Sequence, residues 1–305
     1  MVQPGLLGDE EEFRTAFARP IECDHDPKAV EIFRQLTAPF MLRRLKTDKS
    51  IIADLPEKWI SDRYVDLTLS QSVLYQRTVN SHLAKLAESE AKNDKTKRTA
   101  QVLSLITALK QICNSPSQYK KEWSAMPDSG KGEALLELLD QCRNENRKML
   151  IFTQYREMGE RLLVWIESAT GKKPDFLHGG ISIAERSRMV DTFQENPSVD
   201  VMIVSLKAGG TGLNLTAASV VVHYDLWWNP AVENQATDRA YRLGQERDVL
   251  VYRMICAGTF EEKVNEMLQA KAKLADMTVV TGENWLGSLP TEELKNLFML
   301  RKNGE

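Results

Sequence analysis

The spacing of apolar residues changes at about Gly130, and the stretches on either side predict different architectures. Residues 1 to about 45 are polar with a helical period and end in Phe40-Met-Leu-Arg-Arg-Leu-Lys46. Residues 47–57, which hold Asp54-Leu55-Pro56, read as a connector. Trp59 to Leu69 alternates apolar and polar positions, the two-residue period of a strand. Ser70 to about Lys92 predicts a helix, with Leu74, Leu83 and Leu86 among its apolar positions. A charged interruption at 91–98 precedes a second helix from Thr99 to Cys113. Residues 114–129, rich in Ser, Pro and Asp, read as loop.

Beyond Gly130 helices and strands alternate strictly. A helix is expected over Glu133–Cys142, a strand over Lys148–Thr153, and a helix over about Tyr155–Ser168 closed by Gly171. Pro174–His178 reads as a short strand. Ser182 with Glu185 three residues on forms a capping box for the next helix. Val199–Leu206 and Val220–Tyr224 are apolar strands, and Pro230 suits a first helical position. Val249–Ile255 is a strand, and Thr259 with Glu262 starts a helix running to about Ala275. One short helix is expected near Glu292–Arg301. Continuous apolar strands alternating with amphipathic helices predict an α/β fold, a parallel sheet with helices on both faces.

Composition narrows the class. The 305 residues suffice for two compact units or one large one. No apolar run approaches a membrane span, and the acidic first residues lack a secretory pattern. Cys23, Cys113, Cys142 and Cys256 are scattered with no CxxC pair, which suits a reduced, cytoplasmic protein without a zinc site. A net charge of −3 gives no whole-molecule positive field, so nucleic acid would be met through a local patch.

In such sheets the working loops lie at the carboxyl ends of the strands. After Val199–Leu206 come Lys207 and three glycines, Gly209, Gly210 and Gly212, then Asn214, which let a backbone approach a ligand closely. After Val220–Tyr224 comes Asp225-Leu-Trp-Trp-Asn-Pro230. Trp227 is expected in the core and Trp228 against nucleic acid. Thr153-Gln154-Tyr155 follows its own strand end. His178, beside two glycines, is assigned no acid–base role. Gln235, Arg239 and Arg242 are spaced four and three apart, one stripe if the segment is helical. Their guanidiniums suit phosphate, which the planar fork binds in a bidentate way. No P-loop accompanies them. In Asp128-Ser-Gly-Lys131-Gly-Glu, Gly132 follows the lysine where Ser or Thr is required, and Ala125 replaces the first glycine.

Taken in order, Ile151–Tyr155, Leu177–Gly180, Val204–Thr216, Tyr224–Ala231 and Gln235–Gln245 resemble the C-terminal half of a Swi/Snf-type ATPase of helicase superfamily two, with a prokaryotic lean. Pro39–Asp48 and Asp54–Lys58 resemble that family's linker, and Pro4–Gly8 the end of its first lobe. Tyr241 departs from the pattern, since many relatives carry His there. The resemblance implies a RecA-like second lobe over 59–277 with a helical insertion at about 70–113. It also implies a helical tail of the first lobe over 1–45, a linker over 46–58 and an extension over 278–305. By position, Arg239 and Arg242 match arginine fingers that act on ATP with Mg2+ held mainly by the first lobe. Gln235, Gly210, Gly212 and Asn214 match nucleotide-linked positions, and Lys207, Trp228, Gln154 and Tyr155 match DNA contacts. The implied partners are the first RecA-like lobe of the same protein and duplex DNA, with no membrane and an unidentified remodelled protein. The chain alone is expected to be inactive. A stand-alone DNA- or protein-binding module, and a motor acting on RNA polymerase or RNA, remain alternatives.

Overall fold

A computed structural model describes residues 8–22, 26–37, 55–91, 95–205, 213–274 and 290–301. They fall in two units, one within residues 8–37 and one from Leu55 to Arg301. The linker assigned to 46–58 therefore lies outside the described residues up to Asp54.

The first unit is helical. Asp9 opens it: its carboxylate accepts the N–H groups of Glu11 and Glu12, while Glu12 accepts the N–H of Asp9. That reciprocal cap satisfies donors left open at a helix start. The helix α1 (Glu10–Phe13), a π-helical turn (Arg14–Ala18) and α2 (Arg19–Glu22) run on from it, and α3 (Pro27–Thr37) follows. Phe13, Phe17 and Phe33 gather with ring centroids 5.5–6.1 Å apart.

The second unit is a six-stranded parallel sheet in the order β1-β6-β5-β2-β4-β3. It begins with β1 (Lys58–Val65), followed by two long helices, α4 (Leu69–Ala91) and α5 (Lys95–Asn114). Next comes α6 (Pro116–Lys120), in a stretch whose composition reads as loop. Ser115 caps this turn through the N–H of Gln118, and Pro116 sits at its first position. There follow α7 (Gly130–Asn144), β2 (Lys148–Thr153), α8 (Arg156–Thr170), β3 (Asp175–Leu177), α9 (Ile183–Glu195), β4 (Val201–Ser205), β5 (Ala218–His223), α10 (Pro230–Thr237), β6 (Val249–Cys256), α11 (Phe260–Leu274) and α12 (Thr291–Phe298).

Every residue of β4 and β5 is buried, because side chains pointing to both faces are covered. On one face Met149, Ile151, Val220 and Val222 join Leu135 and Leu138 of α7, Leu162 and Trp165 of α8, and Phe260 and Val264 of α11. On the other, Leu150, Phe152, Val221 and Val251 join Phe193 of α9 and Ala236, Ala240 and Tyr241. Burial of each large apolar side chain contributes roughly 1.5–3 kcal/mol. The outer strand β1 differs: Trp59 and Ile60 are exposed, since nothing pairs beyond it among the described residues. Gly171 ends α8 in the left-handed region (φ 69°), donating its N–H to Glu167. Because all strands run parallel, the loops after β2, β4 and β5 emerge at one end of the sheet. No helix among the described residues is long and apolar enough to cross a membrane.

Candidate functional site

At the strand ends, Asp225 organises the loops after β2 and β5. Its carboxylate is 1% exposed and accepts the Thr153 hydroxyl (2.5 Å), the Gln154 N–H (2.8 Å) and the Asn114 side-chain amide (3.2 Å). Burial raises its pKa above the usual carboxylate range, although these donors oppose the shift. Gln154 is half-buried, and its amide nitrogen donates to the Leu226 carbonyl (2.7 Å). Tyr155 is also half-buried, and its N–H meets the Thr153 hydroxyl (3.2 Å). One connected network thus fixes both predicted DNA contacts of this loop. Asp225 was not singled out in the sequence, although its place directly after a buried strand is the signal.

The arginine segment departs from expectation. Helix α10 ends at Thr237, so Gln235, Arg239 and Arg242 are not one helical stripe. Tight turns follow: Arg239 donates its N–H to Ala236, Ala240 to Thr237, and Arg242 to Ala240. Tertiary hydrogen bonds are the reason. The Arg239 carbonyl accepts the N–H of Leu215 (2.9 Å). The buried Gln245 amide reaches the carbonyls of Thr216, Ala218 and Ala240 at 2.8–3.1 Å. Gln235 and Arg242 end up exposed, whereas Arg239 is buried. Desolvation lowers the pKa of the Arg239 guanidinium, so a nearby anion would restore what burial removes. Asn214 is exposed and adjoins Leu215, which brings the glycine loop's end to the arginine segment. Lys207, Gly210 and Gly212 lie outside the described residues.

The burial of the two tryptophans is the reverse of the expectation. Trp228, expected to face nucleic acid, is 2% exposed, whereas Trp227 is half-buried. The Trp228 ring meets Phe260 edge-on (centroids 5.3 Å apart), with the Lys110 ammonium 4.0 Å from its centroid. Its backbone adopts φ 51°, a left-handed value uncommon for a bulky residue. That turn swings the second indole inward. Glu233 steadies the loop by accepting the Trp227 N–H (3.1 Å), and Arg253 holds Glu233 (3.2 Å) and Asp62 (2.8 Å).

The segment resembling a P-loop is structural. Lys131 is fully buried and paired with Glu261 at 2.9 Å. Burial alone would push its ammonium down, but the Glu261 carboxylate outweighs this and holds it above the usual lysine range. Cys113 and Cys256 adjoin Glu261. Both Glu261 oxygens already serve Lys131, one also accepts the Cys256 N–H, and burial pushes the Cys113 thiol up. This chemistry suits an ion pair better than a metal. His178 accepts the Gly180 N–H and meets the Phe176 ring at a tilt (centroids 5.0 Å apart).

A parallel sheet of this order, with polar loops at its strand ends and an arginine-bearing turn beside them, defines a RecA-like lobe of the helicase kind. Residues 130–244 match the helicase conserved C-terminal domain, and residues 1–118 match the SNF2-related domain. The Bacillus subtilis protein YwqA, described as an ATP-dependent helicase/translocase, is 44% identical over 97% of this chain and 32% of its own length. The Sulfolobus solfataricus SWI2/SNF2 ATPase core in complex with dsDNA is similar at TM-score 0.72 and 38% identity, covering 98% of this chain and 62% of that one. The SWI2/SNF2 ATPase C-terminal domain from the same organism is similar at TM-score 0.66 and 34% identity, over 81% of this chain and all of that one. The chain belongs to the SWI2/SNF2 ATPase family, whose members are ATP-dependent helicases and translocases. It spans about a third or less of the length of the curated relatives it matches.

Proposed function

We propose that this chain supplies the second-lobe half of an ATP-dependent duplex-DNA translocase. Arg239 and Arg242 act as arginine fingers on ATP held mainly by the first lobe. The observation that carries this reading is the placement of Arg239, whose carbonyl accepts the N–H of Leu215 at the end of the glycine loop (2.9 Å). The planar guanidinium of Arg239 suits a phosphate, and the exposed Arg242 offers a second fork. ATP with Mg2+ supplies the phosphoryl group that is transferred to water. This chain's share is to stabilise negative charge, with Gln235 and Asn214 at the rim and Gly210 and Gly212 in the loop between. It contributes no P-loop and no acidic metal pair of its own.

DNA contact falls to Gln154 and Tyr155 at the end of β2 and to Lys207 after β4. The known complex of the Sulfolobus core with dsDNA supports duplex DNA as the partner. The remodelled protein is not specified by these residues.

The test measures DNA-stimulated ATP turnover of the chain alone, then with a first lobe added in trans. The expected result is no turnover alone and turnover on mixing. Arg239→Ala should lower that turnover by about a thousandfold. Substantial hydrolysis by the chain alone, or an Arg239→Ala rate equal to wild type, overturns the proposal.

A further inference from the structure

Lys110 is 1% exposed, yet it lies on α5 of the helical insertion, outside every motif at the strand ends. An ammonium removed from water costs several kcal/mol unless its donors are satisfied. A methionine would fill similar space without that cost, so the charge calls for a reason. Its contacts supply one. Its Nζ donates to the Leu226 carbonyl (3.0 Å) and sits over the Trp228 ring (4.0 Å to the centroid). The Leu226 carbonyl is the same one that accepts the Gln154 amide (2.7 Å). One turn further along α5, Asn114 donates to Asp225, which in turn holds the Gln154 N–H. Positions 110 and 114 share a helix face, so one face of α5 grips the loop after β5 at Asp225, Leu226 and Trp228.

The grip opposes a local strain. Trp228 holds a left-handed backbone, which is unfavourable for a residue other than glycine and persists only where surrounding contacts over-determine it. The edge-on contact with Phe260 and the cation–π contact with Lys110 are two such determinants. A cation over an indole gains most where water is excluded, as it is here.

We propose that Lys110 is a positioning residue for DNA engagement: by fixing the Leu226 carbonyl and the Trp228 ring, it holds Gln154 and Tyr155 in their DNA-facing arrangement. This rests on the reading of Gln154 and Tyr155 as DNA contacts. The helical insertion is then mechanically part of the DNA grip, and movement of α5 changes the grip without touching DNA.

The experiment uses the full-length gene product and reads ATP turnover against duplex-DNA concentration. Lys110→Met should raise the half-saturating DNA concentration about tenfold while changing turnover at saturating DNA less than twofold, and Lys110→Arg should restore most of the loss. Gln154→Ala should raise the half-saturating concentration similarly, and the double variant should be no worse than either single one. Gln154→Ala without effect overturns the DNA reading beneath the proposal. Gln154→Ala with an effect and Lys110→Met without one overturns the role of Lys110 alone. Additive losses in the double variant also overturn it. Should Lys110→Met fail to fold, fluorinated tryptophans placed at position 228 weaken the cation–π contact while nearly preserving shape. A stepwise rise in half-saturating DNA with fluorine count supports the proposal, and no change overturns it.

Discussion

Lys131 and Glu261 show how a single residue can carry the chemistry of a motif and do something else. Their side chains are 0% and 2% exposed, with the ammonium 2.9 Å from the carboxylate. Lys131 also reaches Asn114 (3.4 Å), whose carbonyl accepts the hydroxyls of Tyr224 and Ser129. Removing one partner of such a pair strands the other charge away from water. Glu261→Gln should therefore lower unfolding free energy by about 3–5 kcal/mol, and adding Lys131→Met should return much of it. Urea unfolding of the two variants measures both, and a Glu261→Gln value within about 1 kcal/mol of wild type would contradict this account of the pair. The pair was invisible in the sequence because its members are far apart in the chain and only the fold joins them. Arg239 and Arg242 were legible by residue type and motif order. What could not be read was that one is buried and the other exposed, since that depends on the Leu215 and Gln245 hydrogen bonds.

Elements in this protein are often set by one close approach, and the start of α7 is the clearest. A Cβ on Gly130 would collide with the Asp66 carbonyl oxygen, a backbone atom that cannot swing aside. Gly130 also donates its N–H to Gln71, whose own amide reaches the carbonyls of Ile112 and Cys113. Gly130→Ala should destabilise by about 1–3 kcal/mol through overpacking, despite alanine's helical preference. Gly179→Ala is the control: nothing lies within 4 Å of its Cβ, so its unfolding midpoint should hardly change. Equal midpoints for the two variants would contradict the collision. At this scale the sequence was most informative where burial is two-sided. β2, β4 and β5 carry the apolar runs Met149–Phe152, Val201–Val204 and Val220–Val222 because both their faces are covered. It was least informative where tertiary contacts override local pattern. The arginine spacing continues the helical period past Thr237, yet the helix stops there. In the Ser- and Pro-rich stretch before Gly130, Ser115 turns loop chemistry into the cap of α6. Trp228 belongs with these cases: adjacent tryptophans carry no local signal for which one turns inward.

Across the whole α/β unit, acid stability is tied to the end of α10 through His223. The ring sits at the end of β5, stacked on Phe152 (centroids 5.7 Å apart), with Nε2 3.0 Å from the Thr237 hydroxyl at the last turn of α10. Burial, aided by the Arg253 charge, pushes its pKa down to about 3. The unfolded chain takes up this proton below about pH 6.5, whereas the folded one does not until about pH 3. Between those values the unfolded state binds more protons, so stability falls with pH, by about 1.4 kcal/mol per unit for this group. Asp225 and Glu233 act in the opposite sense. Burial raises their folded pKa values, so the folded state protonates first and they recover stability as pH falls. Total stability therefore mixes the signs, and only a comparison isolates His223. His223→Gln keeps a polar group near Thr237 but cannot titrate. Relative to this variant, wild type should lose about 2 kcal/mol between pH 7.5 and pH 5, measured as urea unfolding at each pH. A wild-type minus variant difference that stays constant across that range would mean His223 is not held neutral by the fold.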